Sequence, residues 1–334
     1  MAFVRRILRR GCAAGREVRI SAATSLRAGL LAALAIGFAF QVAKPTSAET
    51  VGQADSSAQS RQEALNTLPL DQLTPAAQQK LWPVVSGASI YRRLPAEVVT
   101  CDRDMYLTLI RNPEIIVGIW HLMDVTELDM KRTAPFTFDC DDKAGTTSQV
   151  ELSYGTPNMH IYYAETLYEG SRFARPVNGR VVLFLRSEYF NDEQGRPQVK
   201  SGMDAFIRID HITAKLVART MSPLIVRTAD HNFVESFRFV GRVHESAEEN
   251  SPGMRELATR LVGVNAQTQQ TFADVATLVG QRAEARTQLP VAHSPSTFPA
   301  SENSSPARQE NVFGQRDQWE SANSLPPRAI NLRR

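Results

Sequence analysis

ITAKLVARTMSPLIVRTADHNFVESFRFVGRVHESAE, residues 212–248, reads as one long amphipathic helix that follows a run of strands. Its apolar residues Ile212, Leu216, Met221, Leu224, Ile225, Phe233, Phe237, Val240 and Val243 recur at three- and four-residue steps, which places them on one helix face. Lys215, Arg219, Arg227, Glu235, Arg238, Arg242 and Glu245 fall on the opposite face, which is predicted to meet water. Pro223 interrupts the pattern; it lacks a backbone donor and crowds the preceding turn, so a bend or a fresh helix start is expected there.

Upstream, six extended runs cover residues 125–132, 136–140, 146–154, 159–168, 180–190 and 199–211, divided by segments rich in turn formers such as GTPN, RPVNG and NDEQGRP. These spacings predict an antiparallel meander. Met159, Ile161, Tyr163 and Leu167 share one parity, as do Val181, Leu183 and Leu185, and Met203, Ala205, Ile207 and Ile209. The expectation is a curved sheet with one apolar face, covered by the long helix. Before the meander, residues 97–100 read as a short strand. Asp102 and Asp104 cap a helix through Leu109, and 114–123 reads as a second short helix after Asn112 and Pro113. A further helix starts at Thr74 and Pro75 and is expected to end before Pro83.

A strand, two short helices, about six antiparallel strands and a long C-terminal helix make an α+β order that resembles the START-like (SRPBCC-type) helix-grip superfamily, which includes polyketide cyclases and lipid-transfer proteins. Asn112, Pro113 and Glu114 followed by Trp120 are similar to that family's turn-and-tryptophan segment. Gly145 and Thr146 look like its entry to a strand, and the sequence from Leu216 to Val243 resembles the start of its closing helix. The resemblance covers roughly residues 90–248. It implies a cavity between sheet and helix that holds a hydrophobic small molecule or lipid.

The ends differ from this body. Residues 1–48 have an Arg-rich start, an uncharged apolar run at 28–43 and small residues before Glu49, the three parts of an export signal. The run is shorter than the roughly 20 residues of a usual membrane span. Two readings stand: cleavage after Ala48, giving a periplasmic or secreted protein, or retention as a single anchor. Eight of the 38 basic residues and one of the 35 acids lie in that leader, which leaves 30 basic against 34 acidic residues and argues against a nucleic-acid partner. Residues 49–89 read as a linker with the short helix, and 249–286 as an additional amphipathic helix. In the latter, Met254, Leu257, Leu261, Val264, Val275 and Leu278 follow a heptad-like spacing, for self-association through 254–278 or as a solvent-exposed helix. Residues 287–334 have the composition of a disordered tail.

The sequence contains no phosphate loop, GxGxxG, HExxH or GxSxG signature, so no cofactor is expected and no catalytic group is assigned. Asp139, Asp141 and Asp142 read as a polar hairpin turn, because Lys143 stands where a calcium loop needs an oxygen ligand. Cys101 and Cys140 either form one bridge or remain two buried thiols. The candidate ligand-binding residues are Trp120, Tyr154 and Tyr163 as aromatic walls and Glu165, Ser187 and Tyr189 as polar groups on otherwise apolar strand faces. Three functions follow. One is non-catalytic carriage of a hydrophobic molecule, the second a cyclase- or hydrolase-like enzyme using Glu165 or a histidine as acid/base, and the third an interaction module acting through residues 254–278 and the tail.

Overall fold

The structure, a computed structural model, describes residues 48–50, 52–170, 176–210 and 222–288. The leader 1–47 with its apolar run, residues 211–221 at the start of the expected long helix, and the tail 289–334 lie outside the described residues. Among the described residues no helix is long and apolar enough to cross a membrane.

Nine strands are present among the described residues: β1 (Ala48–Thr50), β2 (Ile90–Arg93), β3 (Glu97–Thr100), β4 (Asp129–Ala134), β5 (Thr137–Asp141), β6 (Thr146–Gly155), β7 (Met159–Tyr168), β8 (Val177–Asn191) and β9 (Pro197–Ile209). They form one antiparallel sheet in the order β1-β3-β9-β8-β7-β6-β5-β4. The free edge of β9 is shared: β3 pairs with its first half, Glu97 opposite Ser201, and β2 with its second half, Ile90 opposite Ile207. The meander from β4 to β9 follows the runs and turns of the sequence. At the β5–β6 turn Asp142 Oδ1 accepts from the Ala144 and Thr146 amides, both at 2.8 Å, and Gly145 sits at φ +104°. A side chain there would meet the Gly170 backbone at 2.8 Å, so glycine is required twice over.

Helices cover both faces. On one lie α1 (Ala58–Thr67) and α2 (Pro75–Ser86); on the other lie α3 (Arg103–Arg111), α4 (Pro113–Met123), α5 (Ser222–Glu249), α6 (Ser251–Thr259) and α7 (Ala266–Gln288). Asp102 caps α3 by accepting from the Asp104 amide at 2.8 Å. Helix α5 is described from Ser222 onward, so the bend or fresh start expected at Pro223 lies at the edge of the described residues. Phe237, Val240 and Val243 face inward as their spacing predicts. Phe239 is also buried, with its ring 5.6 Å from that of Trp120 on α4. The buried arc of α5 is therefore wider than the sequence stripe. Gly241 makes close packing on the sheet feasible, since a side chain there would stand 3.3 Å from Val99 Cβ.

Four expectations need correction. The sheet has two apolar faces, because the pairing register puts Tyr162 opposite Leu183 but Tyr163 opposite Val182. Leu183, Ala205 and Ile207 thus share the α5 side with Tyr162 and Ala164, whereas Ile161, Tyr163, Val182 and Phe206 pack against Leu81, Val84 and Val85 of α2. Secondly, the stretch read as a linker holds β1 and α1, whose small Ser60 and Ala64 let the helix lie close to its neighbours. Helix α2, thirdly, continues through Pro83, since Leu81 before it and Val84 and Val85 after it are buried in the same layer. Fourthly, residues 249–286 form two helices broken near Gly263, which has φ +81°. Met254, Leu257, Leu261 and Val264 are spent in the chain's own core, while Leu278 stays exposed. Of the two readings open for Cys101 and Cys140, the structure has the separate buried thiols, with four strands between β3 and β5.

Candidate functional site

The α5 side of the sheet encloses a cavity of about 110 Å³. Its floor is Val150 on β6, Tyr162 on β7, Leu183 and Leu185 on β8 and Met203 on β9; α3 and α4 supply Leu109, Ile110 and Ile116, and α5 closes it with Ala229, Phe233, Phe237 and Val240. Alternation puts these strand side chains on one face, and three-to-four spacing puts Ala229, Phe233, Phe237 and Val240 in line above them. The polar groups that reach the wall are already engaged. Tyr162 donates its hydroxyl to the Ile110 carbonyl. Tyr106 shares hydrogen bonds with Ser187 at 2.6 Å and Ser201 at 2.7 Å, and the two serines bond each other at 2.9 Å. Burial pushes the Tyr106 phenol well above its ordinary range, so it stays neutral and acts as a fixed dipole.

Behind the cavity wall lies a basic pair. Arg111, in the last turn of α3, donates from Nε to Nε2 of His160 at 3.0 Å. His160 is the next inward-facing residue along β7 beyond Tyr162, is fully buried, and pairs across the strands with Leu185. Desolvation first and the Arg111 charge second lower its pKa to about 3, so it is neutral under physiological conditions. Two turns earlier on α3, Arg103 stacks over the Tyr189 ring at 5.4 Å, and Tyr189 donates to the Pro157 carbonyl at 2.5 Å. Burial raises the Tyr189 phenol to about 12.

The six candidate ligand residues divide between the two faces. Trp120, Ser187 and Tyr189 lie on the α5 side, but Trp120 packs against Phe239 beyond the cavity wall and Ser187 is bound to Tyr106 and Ser201. Tyr154, Tyr163 and Glu165 lie on the opposite face. There Tyr154 donates to Gln72 Oε1, Lys80 sits over the Tyr163 ring at 5.9 Å, and Tyr163 donates to Glu165 at 2.9 Å. Glu165 is exposed and belongs to a polar row across six strands, Lys131, Asp139, Gln149, Glu165, Arg180 and Arg208, bordering an open depression. The shared-face reading fails because parity within a strand does not say which face of the sheet is meant; the register does. Asp210 and Asp230, neighbours of histidines in sequence, are engaged by Arg180 at 2.7 Å and Arg92 at 3.0 Å. Among the described residues no group of three or more metal-ligating side chains converges.

Sequence reasoning missed Arg111 and Tyr106. Both lie on a short helix whose apolar residues gave the only clear signal, and their partners His160, Ser187 and Ser201 are distant in sequence.

No protein-family model matches the sequence, and no curated protein matches it. Among solved structures, the chain is similar to a conserved protein from Geobacillus kaustophilus, with a TM-score of 0.33 and 10% identity over 48% of this chain and 93% of the other.

Proposed function

We propose that the protein is a non-catalytic binder of a small hydrophobic molecule, held between the sheet and α5, and that its fold is of the START-like helix-grip kind. The observation that carries this is the apolar cavity under Phe233, Phe237 and Val240, whose nearby hydroxyls are tied to protein partners. A binding site of this composition selects by shape and desolvation rather than by chemistry. Its volume of about 110 Å³ is close to the roughly 150 Å³ of an apolar cavity known to take benzene. The occupant is therefore a small ring or short chain, or the end of a longer molecule. An acid/base mechanism through Glu165 gains no support, as that carboxylate is exposed on the far side of the sheet from the cavity. The export signal of residues 1–48 would place this binding outside the cytoplasm.

Comparing native with denaturing mass spectra of the purified full chain, followed by organic extraction, tests the proposal. A stoichiometric apolar adduct supports it and gives the cargo class. A bare mass, with no uptake from a lipid extract, argues for the interaction-module reading instead.

A further inference from the structure

Arg111 differs from the buried and half-buried arginines around it in having no acid. Arg92 pairs with Asp230, Arg93 and Arg186 with Asp204, Arg132 with Glu114 and Arg180 with Asp210. The nearest acid on the neighbouring helix, Glu114, is taken by Arg132 at 2.7 Å. The only side-chain hydrogen bond of Arg111 among the described residues goes to a neutral histidine. A guanidinium stays charged in a protein and ordinarily finds a carboxylate or phosphate when it leaves water. Here burial foremost, with the like charge of Arg103 adding to it, disfavours the charged form.

His160 carries a matching vacancy in its bonding. Accepting from Arg111 at Nε2 fixes the neutral tautomer with its proton on Nδ1. That fully buried Nδ1 has no partner among the described residues. The pair stands beside the cavity without lining it: Ile110 and Pro113, which flank Arg111 in the chain, are part of its wall, as are Tyr162 and Leu185 next to His160.

We propose that the cavity's occupant is amphipathic and anionic, its apolar part under α5 and its carboxylate or phosphate head on the Arg111 guanidinium beside His160. This rests on the cavity reading above and names the chemical class of its ligand. The head completes the charge balance of the site, and His160 acts as a positioning residue that orients the fork of Arg111 through Nε. Uncharged molecules of equal apolar size fill the same space without that contact.

Isothermal titration of the full chain at low salt with hexanoate, hexyl phosphate and 1-hexanol separates the possibilities. At least one anion should bind about tenfold or more tightly than hexanol, as a charge-assisted bidentate contact implies. Arg111→Gln should remove that preference and leave hexanol binding unchanged. Stronger binding of hexyl phosphate assigns a phosphate head, and stronger binding of hexanoate a carboxylate. Equal affinity for anions and alcohol overturns the inference while keeping the cavity, as does a preference that survives in Arg111→Gln. Binding of none of the three overturns the cavity reading as well. Should Arg111→Gln fail to fold, the selectivity of the unaltered protein decides the question.

Discussion

Replacing Asp204 by Asn isolates what attaches the N-terminal helices to the sheet. Asp204 is fully buried on β9 and accepts from Tyr91 at 2.5 Å, from Arg93 at 3.0 Å and from Arg186. Arg93 carries the link outward, to the Ser60 carbonyl of α1 at 3.0 Å and to Glu63 at 2.9 Å. Asparagine keeps the shape and one acceptor, so the Tyr91 bond survives, but two guanidinium groups lose their counter-charge. Breaking a buried ion pair from one side ordinarily costs about 3–5 kcal/mol. The Arg93 and Arg186 side chains are 24% and 37% exposed, so water recovers part of that loss. The expected destabilisation is about 2–3 kcal/mol, a fall of roughly 1 M in the urea midpoint at an unchanged slope. Urea unfolding followed by circular dichroism measures it, with Glu63→Gln at the exposed end of the same network as a control that should change little. A loss no larger than that of the control would refute the claim that Asp204 anchors this layer.

Further predictions concern titration, packing and thiols. His160 is neutral when folded, with its pKa lowered to about 3, while an unfolded histidine titrates near 6.5; below that pH the unfolded state binds a proton that the native state does not. Native stability should therefore fall on acidification from about pH 6.5 towards 3, by about 1.4 kcal/mol per pH unit for this residue, and His160→Gln should shed that part of the slope in denaturant titrations at pH 6 and 5. His244, also buried and lowered chiefly by desolvation, should act in the same direction. Ala229→Leu fills the cavity from α5 and should abolish ligand uptake while changing stability by less than about 1.5 kcal/mol, a combination checked by native mass spectrometry and thermal unfolding together. Burial pushes the Cys140 thiol up to about 12 and the Cys101 thiol well above its usual value, so both should resist a thiol reagent in the native protein and react on unfolding, with no disulfide mass difference at any stage.

What the sequence disclosed was local. Alternation and turn chemistry marked the strands from β4 to β9, and the three-to-four spacing of Phe233, Phe237, Val240 and Val243 marked the inward face of α5. Register was not legible, because Tyr162 and Tyr163 look alike as strand residues until their partners Leu183 and Val182 are known. That single ambiguity moved Tyr154, Tyr163 and Glu165 to the wrong side and hid the second apolar layer under α2. The composition of α1 likewise concealed a helix held by Asp55, Arg93 and Asp204 rather than by large apolar residues. Arg111 and His160 had no signal in common, since 49 positions separate two residues that meet only after α3 packs on β7.

The central claim is a cavity that takes a small apolar group between β6–β9 and α5. Methyl resonances of Leu183, Leu185, Met203 and Val240, followed while the full chain is titrated with 1-hexanol or benzene, test it most directly. Saturable shifts concentrated on these four methyl-bearing residues, absent in Ala229→Leu, are the predicted result. Unmoved resonances at saturating probe, or weak shifts spread over the exposed surface, would contradict it.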